Sequence, residues 1–203
     1  VFIILLAPLV ALTDKIVPNR AGSRTVTATE PAFLDRDLLG TPVLALEVSR
    51  RELLRLGLRV REMFADSVPA ALTGTRRELI LIEDIDDEVD NLHAQIVEFL
   101  AQVSRARLSE GQREEFLRLL QVENELVHMA DLIVSGVVGP GTRRIDDVVE
   151  VSESTRTTMR ELHRSVISTL DDALDALGTG DLEAAERVAE STARFKDLER
   201  SVT

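Results

Sequence analysis

From Thr41 onward, apolar residues recur at three- and four-residue steps, and this spacing constrains the fold more than any other feature of the chain. Ile82, Ile85, Val89, Leu92, Ile96, Phe99 and Val103 fall on one stripe of a 3.6-residue period. Phe116, Leu119, Leu120, Leu126, Val127, Ala130, Ile133, Val134 and Val137 form a second stripe. No stretch alternates with the period of two that a half-buried strand requires. The chain is therefore expected to be all-α, an antiparallel bundle of long helices.

Punctuation residues divide the pattern. Thr41 and Pro42 make an N-cap and first-turn pair, and Gly74 stops a first helix that runs to Leu72. A second helix covers about 75–105. Ser109, with Gln112 three residues later, is a capping box opening a third, which is expected to end at the loop 136–141. A fourth occupies about 145–177 and stops at Gly178, and Asp181 caps a fifth that runs to Thr203. Three helices, a Gly-Pro break and two more suggest a repeated three-helix unit, the first at about 41–138 and an incomplete second at about 142–203 lacking its last helix. A shift of 105 residues supports the repeat, matching Leu54 with Met159, Arg55 with Arg160 and Asp66 with Asp171.

Before Thr41 the character changes. The first 12 residues are uncharged and apolar, short of the roughly 20 that cross a bilayer. Basic residues follow as Lys15, Arg20 and Arg24, the arrangement found on the cytoplasmic side of a membrane helix. Residues 1–17 are accordingly read as the end of a last transmembrane helix, and 18–40, interrupted by Pro18, Gly22 and Pro31, as a cytoplasmic linker. A buried helix of a soluble protein is the competing reading. Charge follows the same division: residues 1–77 carry a net +3 and residues 78–203 a net −15.

Composition excludes several function classes. No Cys means no disulfide, thiolate zinc site or cysteine nucleophile. A net charge of −12, without Trp or Tyr to stack on bases, argues against nucleic acid as a partner. Phosphate-loop, dinucleotide, zinc-protease and nucleophile-elbow signatures are all missing, and no enzyme is expected.

The richest polar segment is 81–93, where Glu83, Asp86, Asp87 and Asp90 cluster on one side of the second helix. Like charges four residues apart repel, and a hard divalent or iron-type cation held by carboxylate oxygens would relieve this. A solvated acidic face is the plain alternative. On the third helix, Asn124, His128 and Asp131 line the edge of the apolar stripe. Glu123 falls inside that stripe, where a lone carboxylate is costly; a partner, protonation, metal or a rotated helix would each account for it. His93, His128 and His163 sit on three different helices and would meet only by the packing of the bundle. Arg51, Arg55 and Arg59 make a basic stripe suited either to anionic headgroups or to solvent.

The segment 33–53 resembles the junction in bacterial sodium/phosphate cotransporter-family proteins that links the last membrane helix to a cytoplasmic PhoU-like domain. The residues carrying the resemblance are Leu34, Asp35, Pro42, Ala45, Leu46, Arg50, Arg51 and Glu52. PhoU-like domains are repeats of three-helix units, some holding metal clusters on acidic motifs. Asp86 and Asp90 match one such motif, and Asn124, Leu126 and Asp131 match a second, with Glu125 in place of Asp. Val127 stands where that motif has Glu. The resemblance implies a regulatory domain, residues 18–203, on the cytoplasmic face of the bacterial plasma membrane, tuning sodium-dependent phosphate symport by a membrane part outside this chain. Implied partners are the membrane, through the N-terminal apolar segment, the transporter's membrane domain and further copies of the chain. Spacing and resemblance together give Glu83, Asp86, Asp87, Asp90, Glu123 and Asp131 as candidate metal ligands, of which Asp86, Asp90 and Asp131 match the family's motifs. Two rivals remain: a free-standing PhoU-type regulator that binds a transporter or kinase, and a metal-dependent enzyme using Asp86, Asp90 and Asp131.

Overall fold

The computed structural model describes residues 30–180, 183 and 186–190. The expected membrane-helix end at 1–17, with Lys15, Arg20 and Arg24, and most of the expected fifth helix lie outside the described residues. Residues 183 and 186–190 are helical. A 3₁₀ turn, Arg36–Gly40, leads into α1 (Pro42–Thr73), followed by α2 (Arg76–Val103), α3 (Glu110–Ile133), α4 (Gly139–Asp146) and α5 (Glu153–Thr179). No strand occurs among the described residues. The all-α bundle expected from the apolar spacing is the observed fold.

Helix α1 is the central element and packs against α2, α3 and α5. Its inward side, with Ala45, Leu53, Leu56, Val60 and Met63, meets Leu79, Ile82, Val89, Leu92, Ile96, Phe99 and Val103 of α2. Leu119, Leu126, Ala130 and Ile133 of α3 close the core. Burying such side chains contributes about 1.5–3 kcal/mol each, so this one contiguous cluster dominates the stability of the bundle. Turn chemistry fixes the hairpins. Ser109 and Gln112 form the expected capping box, and Thr75 and Glu78 form a second one at the start of α2. The Thr75 backbone N–H, donating to Glu78, holds that carboxyl below the usual range.

Three expectations about boundaries are corrected. The stretch 136–141 does not end a helix: Val134–Val138 forms one π turn that passes directly into α4. Pro140 lies in the first turn of α4, directly after the π turn in which the Gly139 N–H reaches back to the Val134 carbonyl. Gly141 permits the continuation, because a Cβ there would lie 2.8 Å from the Cα of Ala71 on α1. From this position Arg144 donates to the carbonyls of Ala71 (2.8 Å) and Gly74 (2.9 Å), satisfying acceptors that α1 leaves open at its C-terminus. The next helix then starts at Glu153, not near Ile145, with Ser152 accepting from the Thr155 N–H as N-cap. It passes Gly178 and stops at Gly180, whose φ of 69° supplies the left-handed cap. At the head of α1, Thr41 contributes its carbonyl to Leu44 and Ala45 but no side-chain cap.

Candidate functional site

Two carboxylate arrangements distinguish this bundle, and the more buried of them was not singled out by spacing. Glu52 is 0% exposed, lying in the α1 stripe between Ser49 and Leu56. Its Oε2 accepts the backbone N–H groups of Ala32 (2.9 Å) and Phe33 (2.8 Å), and its Oε1 accepts Arg55 Nη1 at 2.7 Å. Arg55 also donates to the carbonyl of Glu30 at 2.6 Å. A buried carboxylate with three charge-assisted donors has its desolvation offset, whereas one without them would cost several kcal/mol, on the order of 3–5. The segment 30–41 is thereby strapped along α1. Asp35 accepts from the Asp37 N–H to start the 3₁₀ turn, Arg36 pairs with Glu98 of α2 at 2.8 Å, and Leu34 and Leu39 pack on the core. A signal was present in the sequence: the step Ala45, Ser49, Glu52, Leu56 puts Glu52 on the buried stripe.

The second arrangement lies where α2 faces α3. Glu123 is 1% exposed, as its place in the apolar stripe implied, and its Oε1 pairs with Nδ1 of His93 on α2. A protein partner is thus what accounts for this buried acid. Two turns away in α2, Asp86 is half-buried. Burial first, and then the charges of Asp90, Asp131, Asp87 and Glu83, push its carboxyl above the usual range. The structure therefore brings Asp131 of α3 into the field of Asp86, uniting two of the acidic motifs read from the sequence. Glu83, Asp87, Asp90 and Asp131 are exposed, and Val127 contributes no oxygen between Glu123 and Asp131.

Other candidates disperse. His163 packs its ring 4.9 Å from Phe64 and contacts that residue's carbonyl at 3.0 Å, while His128 is exposed, so the three histidines do not meet. Arg51 pairs with Glu47 and Arg55 with Glu52, and Arg59 pairs with both Glu62 and Glu88. The basic stripe is thus spent on carboxylates of the bundle. Among the described residues no three His, Asp or Glu side chains form a group that could hold a metal ion. Glu123 is committed to His93 and Val127 is apolar, so the α2–α3 face does not fit a multinuclear cluster as it stands. An open groove of about 390 Å³ between α3 and α5 is mostly apolar, with Leu126, Met129, Leu170 and Leu174 in its lining and Arg118, Gln121 and Glu125 beside them. No described helix is long and apolar enough to cross a membrane.

Residues 53–137 match the family model of the PhoU domain, which covers α1 from Leu53 through α3. The chain is also homologous to the YjbB protein of Salmonella typhimurium (strain LT2), named provisionally for inorganic phosphate export. The two are 25% identical over 182 residues, covering 86% of this chain and 32% of the relative. The YjbB protein of Escherichia coli K12, named in the same way, is 24% identical over the same share of each chain. The chain thus spans about a third of the length of these relatives. No solved structure matches it.

Proposed function

We propose that this chain is the helical regulatory domain of a sodium-coupled inorganic phosphate transporter and sets the rate of phosphate movement through the membrane part. The observation that carries this reading is the Glu52 clasp. A domain that controls a neighbouring membrane segment must be joined to it by something that transmits position, and a fully flexible linker would not. Here the twelve residues before α1 are held by a buried carboxylate, a guanidinium and an ion pair to α2. A free-standing adaptor has no evident use for such a fastening on a segment leading away from its bundle. The PhoU domain match and the phosphate-export names of the relatives supply the substrate class. The acidic α2–α3 face, with Asp86, Asp90 and Asp131, offers a basic partner segment a place to act on the bundle, because its carboxylates repel one another and hold the Asp86 carboxyl above the usual range.

The test is radiolabelled phosphate flux in cells expressing the complete gene with Glu52→Ala. The variant should change the dependence of flux on cellular phosphate while the amount of protein in the membrane fraction stays the same. Unchanged flux in a variant whose residues 30–41 exchange their amides freely would end this reading.

A further inference from the structure

Val148 is the one non-glycine residue among those described whose φ is positive, at 53°. It closes α4. The Val149 N–H reaches back to the Arg144 carbonyl (2.9 Å) and the Val148 N–H to that of Ile145 (3.2 Å), which makes Val148 the left-handed residue of a Schellman cap. Glycine ordinarily fills that position, and at the end of α5 it does, as Gly180 with a φ of 69°. A β-branched residue there crowds its own backbone, and the conformation is disfavoured by roughly tenfold for an L-residue. Side-chain packing does not offset this, because Val148 is 85% exposed. The strain must be imposed by the elements on either side.

Both sides are anchored, but unequally. Helix α4 is fixed to the end of α1 by Arg144 on the Ala71 and Gly74 carbonyls, by the pair of Asp146 with Arg76, and by Gly141 against Ala71. Helix α5 runs back along α1, the only one of α1–α4 whose backbone it approaches closely. Leu174 is seated on Gly57, where a Cβ would lie 2.3 Å from its Cδ2, and His163 contacts the Phe64 carbonyl. Asp171 pairs with Arg61 at 2.7 Å, but the two side chains are 47% and 36% exposed, so water screens the pair and it adds little. The flank of α5 toward α3 is the open groove, and Arg187 in the helical stretch 186–190 is tied to Asp172 of α5 itself.

We infer that α5 is a hinged arm, pivoting at 147–152 between a state docked on α1 and a released one, and that the strain at Val148 biases it toward release. While both helices are anchored, the short connection between them takes the left-handed turn at Val148. Once α5 lifts, the far end of the connection is free and Val148 returns to an ordinary backbone conformation. The seat on Gly57 gives the docked state a definite geometry. The arm thus provides a second arrangement of the bundle, whose population any ligand or partner with a preference between the two states can shift.

Hydrogen exchange on the full chain tests this, under conditions where rates report opening equilibria. In the parent, amides 163–177 of α5 should exchange faster than amides 89–100 of α2. In Val148→Gly the α5 amides should slow about tenfold, and in Val148→Asn, which tolerates the left-handed region, by less in the same direction. Both variants should keep the parent's helicity by circular dichroism. The sign separates a strained joint from a slack one, since glycine placed in a slack hinge would speed α5. Faster α5 exchange in Val148→Gly, or unchanged α5 rates while α2 slows, would overturn the coupling of strain to docking. Parent α5 amides that exchange no faster than those of α2 would overturn the arm itself. The test reads no transport, so it stands or fails separately from the regulatory reading.

Discussion

Glu52 and Asp86 are both acids on helices of one bundle, yet their surroundings treat negative charge in opposite ways. Glu52 lies wholly inside, and two backbone N–H groups and a guanidinium meet its two oxygens. Asp86 keeps partial access to water, and its neighbours are four further carboxylates. Depth of burial alone would rank Glu52 as the strained group, and the partners reverse that ranking. An acid is costly when its charge is unanswered, not simply when it is inside. Glu123 belongs with Glu52, since it too is buried and answered, by His93.

Substitutions can break this contrast, and the largest effect belongs to the clasp. Glu52→Ala removes the acceptor of two strap N–H groups and the carboxylate partner of Arg55, and should lower unfolding free energy by about 3 kcal/mol. Urea denaturation measures the loss, and hydrogen exchange should show residues 30–41 opening first. A smaller loss is expected for His93→Ala, which strands the buried Glu123 carboxylate: about 2 kcal/mol, read from the same urea midpoint. Asp86→Asn should act in the reverse direction. Removing one charge from the acidic face relieves pairs worth roughly 0.2–0.5 kcal/mol each, so thermal unfolding should move upward by one or two degrees. If the α2–α3 face holds a cation in solution, the same substitution would lower the midpoint, which makes its sign a test of the metal reading.

Acidity sharpens the point. The Asp86 carboxyl is raised in the folded state, so its contribution to stability is fully present below the ordinary aspartate pKa and is lost as pH rises through the folded value. The parent should therefore lose stability relative to Asp86→Asn as pH is taken from about 4 toward neutral, and the two should converge in acid. Parallel curves across that range would mean that Asp86 is less coupled to Asp90 and Asp131 than its position indicates.

How much of this was legible in the chain depends on the range of the interaction concerned. The capping box at Ser109, the stop at Gly74 and the buried stripe of α2 are local, carried by residues within four positions of one another, and the structure has them as read. Gly and Pro at 136–141 predict a break that the structure does not have. What keeps the stretch helical is contact with Ala71, some seventy residues earlier, and no local rule carries that information. The start of α5 was missed for a related reason. Residues 147–152 leave the helix, with Val148 at a φ of 53°, and then resume at the Ser152 cap. At the site, helical spacing placed Glu123 inside the bundle but left its partner open, since His93 lies 30 residues away on another helix. Helical spacing places Glu52 on the buried stripe of α1 but does not reveal what answers its charge. Its role depends on N–H groups 19 and 20 residues upstream, in a stretch whose composition suggests slack chain.

The strap also fixes where the bundle may be cut. Helix α1 begins at Pro42, which invites a design that starts there. Such a protein would leave the Glu52 carboxylate among aliphatic side chains with its two amide donors gone, and Arg55 would lose the Glu30 carbonyl. The smallest self-sufficient version of this domain therefore starts no later than Glu30. Any chimaera that transplants the bundle onto another membrane protein must carry those twelve residues as part of the cargo.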